Sequence, residues 1–143
     1  MNNSNLSLDV SANGPGLQIE IFLDNILLFV GEATQDINKF SFSFDDSHEI
    51  PHRLCIKLSG KLPDHTKIDS DNNIVYDRVV KISNVRFDDI DLGHVFFEKC
   101  TYTHDFNGTK DETTTKFYGV MGCNGTVEFE FSSPIYLWLL ENM

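Results

Sequence analysis

Residues 17–31, LQIEIFLDNILLFVG, carry the clearest strand pattern in the chain. Apolar side chains occupy every second position of the first half: Leu17, Ile19, Ile21 and Leu23. The residues between them are mostly polar, which is the two-residue period of a half-buried strand. Asp24 and Asn25 then supply two residues that tolerate a positive φ, and a second apolar run comes after them. We therefore predict a tight β-hairpin over residues 17–31.

Similar alternation recurs along the chain, in the triplets Phe40, Phe42 and Phe44; Leu54, Ile56 and Leu58; and Val127, Phe129 and Phe131. Three phenylalanines on one face of a strand need a facing sheet to cover them. With weaker runs between them, these patterns predict roughly eight to ten short strands and hardly any helical periodicity. We predict an all-β fold, a two-sheet antiparallel β-sandwich of jelly-roll type.

Residues 1–16, MNNSNLSLDVSANGPG, differ in composition from the rest of the chain. They are rich in Asn, Ser and Gly and end in Gly-Pro-Gly, which favours an extended or mobile segment. The whole chain has 143 residues, the size of a single domain. We predict a flexible N-terminal arm over residues 1–16 and a single β-sandwich domain over residues 17–143.

The charge balance excludes some classes of partner. The chain has 22 acidic and 11 basic residues and a formal net charge of -11 at pH 7. This argues against nucleic acid, whose phosphates need a basic face, and against an anionic membrane surface. It fits a displayed surface, a basic partner or a bound divalent cation, and charge alone does not separate these.

The cysteines, Cys55, Cys100 and Cys123, have no CxxC spacing, so we predict no disulfide framework and a protein made in a cytoplasm.

Residues 61–77, KLPDHTKIDSDNNIVYD, form a turn-rich acidic stretch between two strand-like runs. Its D-x-D-x-N spacing at Asp69, Asp71 and Asn73 places hard oxygen ligands at alternate positions, as a calcium site often begins. The rest of an EF-hand is missing, so the predicted site is of another kind. Its candidate ligands are Asp64, Asp69, Asp71 and Asp77. The alternative is an Asp- and Asn-rich β-hairpin turn without a metal.

Three tyrosines fall in or beside polar segments: Tyr76, Tyr102 and Tyr118. A flat ring stacks on a sugar face while carboxylates and amides bond the hydroxyls, so these residues are candidate glycan ligands. Each also fits a strand residue that covers the edge of the sandwich, and the sequence leaves both interpretations open.

The C-terminal segment is strongly apolar. Ser132 and Ser133 followed by Pro134 are typical of a helix start, so residues 134–143 form a short helix or a final strand. The side chains that need to be buried there, in the chain's own core or against another subunit, are Tyr136, Leu137, Trp138, Leu139 and Leu140.

No motif for catalysis is present. No serine or cysteine has a nucleophile-elbow context, and the zinc-like spacing of His48, His52 and Cys55 lacks a further partner. We predict that the chain is not an enzyme.

Three stretches carry a resemblance: residues 61–77, residues 87–108 (FDDIDLGHVFFEKCTYTHDFNG) and residues 133–143 (SPIYLWLLENM). In these stretches the chain resembles small virion-associated proteins of large tailed marine bacteriophages, notably those that infect cyanobacteria. The resemblance implies a structural protein on the capsid surface, neck or tail, located in the virion after assembly in the host cytoplasm. Its partners would be other virion proteins or copies of itself.

A second resemblance is one of fold alone. The β-rich, Asp-bearing pattern is similar to calcium-dependent carbohydrate-binding modules, which implies a surface glycan as partner and a bound calcium ion. Apart from calcium in this alternative, we predict no cofactor.

Overall fold

Alternating apolar and polar residues produce strands along most of the chain, and the structure, a computed structural model, describes residues 3–143. The first seven strands are β1 (Asn3–Ala12), β2 (Gln18–Leu23), β3 (Ile26–Glu32), β4 (Asn38–Asp45), β5 (Ile50–Ser59), β6 (Thr66–Ile68) and β7 (Ile74–Asp77). The others are β8 (Val80–Phe87), β9 (Ile90–Asp91), β10 (Cys100–His104), β11 (Thr113–Lys116), β12 (Val120–Met121) and β13 (Gly125–Ser133). The helices are a 3-10 turn (Pro63–His65), α1 (His94–Lys99) and α2 (Ile135–Asn142).

The strands form two large antiparallel sheets and one small hairpin. One sheet has the order β12-β8-β1-β4, with β9 added on β8, and the other has the order β11-β10-β13-β5-β2-β3. Strands β6 and β7 pair only with each other. Apolar side chains of the two large sheets fill the space between them. The predicted all-β sandwich with antiparallel sheets is confirmed.

The predicted hairpin over residues 17–31 is also confirmed. Strands β2 and β3 pair in antiparallel register from Leu23 opposite Ile26 to Gln18 opposite Glu32. Asp24 and Asn25 form the turn with φ values of 52° and 67°, the left-handed region that Asp and Asn enter more easily than most residues.

The prediction of a flexible N-terminal arm is wrong for the residues that the structure describes. Residues 3–12 form β1, which lies in the middle of its sheet and pairs with both β4 and β8. Leu6, Leu8 and Val10 are buried in the core. Asn13 then ties the following bend to the body, because its Nδ2 donates to the Asp77 carbonyl and its Oδ1 accepts from the Val79 amide. The first two residues of the predicted arm lie outside the described residues.

Helix α2 closes one end of the core. The Trp138 ring lies 5.8 Å from the Phe87 ring and 5.6 Å from the Phe129 ring, edge to face in both cases. Ile135 and Leu139 are buried beside it. Of the two alternatives for residues 134–143, the structure contains the helix, whose first turn comes directly after Pro134.

Candidate functional site

Both large sheets end on the same side of the sandwich. Strand β3 is the last strand of one sheet and β4 the last strand of the other. The two strands meet through Phe29 and Phe40, whose ring centroids lie 4.8 Å apart. We call this side the open flank, defined by residues 26–31 of β3, residue Ile37 and strand β4.

The open flank is apolar and accessible. Its exposed fractions are 64% for Ile26, 49% for Leu27, 41% for Leu28, 60% for Val30 and 62% for Ile37. Residues 26–31 contain no charged side chain. Phe29, Phe40 and Phe42 pack against the core but stay only partly buried. An exposed edge strand of this length and composition is a template for pairing with another chain.

The strand ends on the other side of the sandwich are different. Strand β11, at the far end of the six-stranded sheet, is Thr-Thr-Thr-Lys with every side chain exposed. Strand β12, at the far end of the facing sheet, has only two residues. Short, polar or charged edges are how proteins discourage pairing between sheets, and residues 26–31 of the open flank have none of these features.

Helix α2 offers a second apolar surface. Tyr136 is 61% exposed, Leu140 77% and Leu137 37%, whereas Trp138 and Leu139 are buried. The five predicted interface residues are therefore divided between the core and solvent. A cleft of about 740 Å³ separates α2 from the β2–β3 turn, lined by Trp138 on one side and Asn25 on the other.

The acidic stretch at residues 61–77 folds as the hairpin β6–β7 and does not gather its carboxylates. Asp69 Oδ1 accepts the backbone N–H of Asp71 and of Asn73, both at 2.9 Å, which closes the turn. Asp77 Oδ1 accepts from Lys61 and Thr66, and Asp64 lies in the 3-10 turn. Among residues 3–143, no three His, Cys, Asp or Glu side chains lie close enough together to hold a metal ion. Calcium binding stays a prediction.

Lys61 anchors this hairpin to the sandwich. Its side chain is fully buried, and Nζ lies 2.5 Å from Asp77 Oδ1 and also donates to the Arg78 carbonyl. Its backbone N–H donates to Asn124 Oδ1, and Asn124 Nδ2 donates back to the Lys61 carbonyl. A buried ammonium needs such partners, so Asp77 acts as the counter-ion of Lys61. The Oδ1 atom that was a candidate calcium ligand is therefore already engaged by the ammonium.

The three predicted glycan-binding tyrosines lie in different environments. Tyr102 is buried, and its hydroxyl donates to the Cys123 carbonyl and accepts from the Cys123 N–H. Tyr76 is 38% exposed with its hydroxyl near the Asn13 carbonyl, and Tyr118 is 79% exposed. Burial raises the pKa of the Tyr102 phenol. The structure does not bring the three rings to one site.

A groove of about 770 Å³ crosses the outer face of the six-stranded sheet. Its lining mixes carboxylates, amides and cationic groups, including Glu128, Asp105, Asn124 and Lys57. Lys57 Nζ lies 5.3 Å from the centre of the Phe22 ring, which also lines the groove. Sequence reasoning missed this groove, because its residues come from strands that are adjacent only in the folded sheet.

One constellation has the residue types of a hydrolase triad. Asp24 Oδ2 lies 2.7 Å from His52 Nδ1, and His52 Nε2 lies 3.2 Å from Ser133 Oγ. The serine hydroxyl is buried, donates to the His48 carbonyl and accepts from the Ile50 N–H. A nucleophile must reach its substrate, and this hydroxyl is enclosed by main-chain partners. The arrangement instead joins the β2–β3 turn to β5 and the end of β13.

The cysteines are free thiols of low reactivity. Burial raises the pKa of each of the three: Cys55, Cys100 and Cys123. A thiol with a raised pKa is protonated near neutral pH and is a poor nucleophile or metal ligand.

The fold and these surfaces define a class: an acidic, antiparallel β-sandwich with one open apolar flank. Comparison of the chain with protein-family models, with curated proteins and with solved structures finds no match. No helix within residues 3–143 is long and apolar enough to cross a membrane.

Proposed function

We propose that the chain is a non-enzymatic structural component of a phage virion that acts through contacts between subunits. The observation that carries the subunit-contact part is the open flank, where most of the uncharged residues 26–31 lie exposed on a strand that is paired on one side only. The outward face of α2 adds a second apolar surface at Tyr136 and Leu140. The virion part rests on the resemblance to phage proteins in residues 61–77, 87–108 and 133–143.

The charge distribution supports the same role. Twenty-two acidic residues give the sandwich a strongly negative surface, which favours solubility and discourages contact between copies except where charge is absent. Residues 26–31 of the open flank are such a place. An acidic body with restricted apolar contact surfaces is suited to a protein that meets its neighbours in a fixed orientation on a particle.

The test is the composition of purified particles. Virions of the encoding phage, purified by density gradient, are analysed by quantitative mass spectrometry and labelled with antibody for electron microscopy. We expect the chain in a fixed copy number per particle and the label at one position on capsid, neck or tail. A chain that is abundant in infected cells and absent from washed particles would overturn the proposal.

The groove on the outer sheet face favours a second candidate function, a carbohydrate-binding module. Its carboxylate and amide groups at Glu128, Asp105 and Asn124 are suited to sugar hydroxyls, and Phe22 supplies a ring. This candidate differs from the one expected from sequence, because the groove uses neither the predicted tyrosines nor the Asp69–Asp71 loop.

Glycan binding is tested on an array of surface polysaccharides, with calcium and with chelator. Glu128→Gln in the groove is compared with Glu20→Gln on β2, which is not among the residues that line it. Binding that is lost only in Glu128→Gln supports the groove. Binding that needs calcium and is lost in Asp71→Ala would support the loop instead. The absence of binding to any glycan leaves the virion component as the function.

A further inference from the structure

We propose that the open flank binds the open flank of a second copy of this chain, so that β3 pairs antiparallel with β3 of the copy across a two-fold axis. This proposal rests on the proposed function as a subunit-contact protein and names the partner. Its starting point is that both large sheets are interrupted at the same place, with one side of β3 and one side of β4 unpaired among residues 3–143.

The symmetry follows from the arrangement of the two edges. A two-fold axis that runs along the sheet normal places β3 opposite β3 of the copy and reverses its direction, as an antiparallel pair requires. The same axis brings β4 opposite β4 of the copy. Both sheets then continue across the contact.

A second copy is the occupant that matches both edges. Stacked sheets lie about 10 Å apart, so a partner that satisfies β3 and β4 together must present two open strands at that spacing. The open flank itself has this form. A single extended peptide added to β3 would leave the exposed parts of the Phe40 and Phe42 rings on β4 uncovered.

Charge supports the same choice. Each copy carries a net charge of -11, so two copies repel except where they meet through uncharged residues. Residues 26–31 are such a segment, bounded by Asp24 and Glu32. A basic protein partner would be attracted to the acidic surface elsewhere and would gain little from an edge that carries no carboxylate between residues 26 and 31.

A bulge shapes the contact. The register between β2 and β3 shifts so that Leu27 pairs with Phe22 and Phe29 with Ile21, which leaves Leu28 without a partner on β2. Such a bulge bends the strand. Regular pairing with the copy is therefore expected on either side of Leu28, and side-chain contacts of Ile26, Leu27 and Val30 are expected to supply the rest of the stabilisation.

The experiment is sedimentation equilibrium of the full chain over a wide concentration range, with Val30→Lys as the test variant. We expect wild type to dimerise and Val30→Lys to weaken the dimer by about tenfold or more, because each copy then places a lysine in an otherwise apolar contact. Thr114→Lys is the matched control, since it adds the same charge to the exposed edge strand on the opposite side of the same sheet. Leu140→Lys tests the α2 surface. Both are expected to dimerise like wild type.

The salt dependence of association distinguishes pairing with a second acidic copy from binding to a partner of opposite charge. Salt screens the repulsion between two acidic copies, so the dimer is expected to tighten as salt is raised. Hydrogen exchange on wild type gives an independent readout: amides of residues 26–32 are expected to gain protection as the chain is concentrated, whereas those of β11 are not.

The outcomes are distinct. A chain that stays monomeric at high concentration and high salt, or a dimer that Leu140→Lys breaks and Val30→Lys does not, overturns this proposal. In either case the chain can still be found in purified virions, which would leave the proposed function standing. Conversely, a Val30-dependent dimer that is absent from virions upholds the pairing and overturns the virion role.

Discussion

Lys61 is the only lysine, arginine, aspartate or glutamate among residues 3–143 that is buried. Its ammonium is held by Asp77 and the Arg78 carbonyl, and Asp77 keeps 31% of its side chain in contact with solvent. Lys61 and Asp77 therefore differ in how far water reaches them. Removing the carboxylate leaves a buried charge, whereas removing the ammonium leaves a carboxylate that water can reach.

We expect Asp77→Ala to lower the free energy of unfolding by about 3 kcal/mol, the lower end for a broken buried pair. Lys61→Met keeps most of the side-chain volume and is expected to cost about 1 kcal/mol. Urea denaturation measures both. The double variant is expected to be more stable than Asp77→Ala alone, because it removes the unpaired charge. Additive losses would show that Lys61 and Asp77 do not act as a pair.

The Asp24, His52 and Ser133 constellation makes a second prediction at this scale. Ser133→Ala removes the partner of His52 Nε2 and of the Ile50 N–H in a buried place. We expect a loss of about 1–3 kcal/mol, the usual cost of leaving buried polar groups unpaired. Thermal unfolding monitors the loss, with the exposed Ser41→Ala as control.

The same serine is expected to stay unlabelled by a fluorophosphonate probe, since its hydroxyl is enclosed by the His48 and Ile50 backbone. Labelling that Ser133→Ala abolishes would contradict the structural role and point to a hydrolase.

At the scale of the element, the β6–β7 hairpin depends on the Asp69 carboxylate as a backbone acceptor. Asp69→Ala removes two hydrogen bonds to the turn and is expected to destabilise the hairpin by about 1 kcal/mol. Asp69→Asn keeps the acceptor oxygen and is expected to cost less. Hydrogen exchange of residues 66–77 reports the hairpin directly.

Asp71→Ala separates this role from calcium binding, because Asp71 contributes its backbone N–H to the turn and that group survives the substitution. Without calcium it is expected to exchange like wild type. If calcium raises the melting temperature of wild type and not that of Asp71→Ala, the loop holds the ion that its spacing predicts.

The sequence predicts best those elements whose formation depends on residues close together in the chain. The β2–β3 hairpin follows from alternation and from two residues that accept a positive φ, whereas Pro134 and the apolar run after it left helix and strand open, and the structure has the helix α2. Strand β1 has the same alternation at Leu6, Leu8 and Val10, but its Asn- and Ser-rich composition outweighed that signal. Its stability comes from β4 and β8 on either side, which are distant in sequence.

The site could be predicted less well, for the same reason. Asp24 and His52 are 28 residues apart and His52 and Ser133 are 81 apart, so no spacing rule joins them. The apolar composition of residues 26–31 is visible in the sequence. That β3 is the last strand of its sheet, and beside the last strand of the other, is a property of topology alone.

At the scale of the whole molecule, the buried thiols and the buried phenol link folding to alkaline pH. Burial raises the pKa of Cys100 and of Tyr102 in the folded chain. In the unfolded chain these groups ionise near pH 8.5 and pH 10 respectively, at about their ordinary values. The folded state therefore binds these protons more tightly than the unfolded state. The stabilisation that results is fully present below about pH 8.5 and is lost as the pH rises above that value.

We expect the free energy of unfolding, measured with urea under reducing conditions, to decline above about pH 8.5 and more steeply above about pH 10. Each group that stays protonated in the folded state contributes a slope of about 1.4 kcal/mol per pH unit.

Tyr102→Phe is expected to be less stable at pH 7, because the Cys123 N–H loses its acceptor, and to decline less above pH 10. Cys100→Ala is expected to decline less between pH 8.5 and 10, where Cys55 and Cys123 retain their own contributions. A profile that is flat to pH 11, or one that neither substitution changes, would mean that these groups ionise in the folded chain as easily as in the unfolded one. The core would then not shield the Cys100 thiol and the Tyr102 hydroxyl from water.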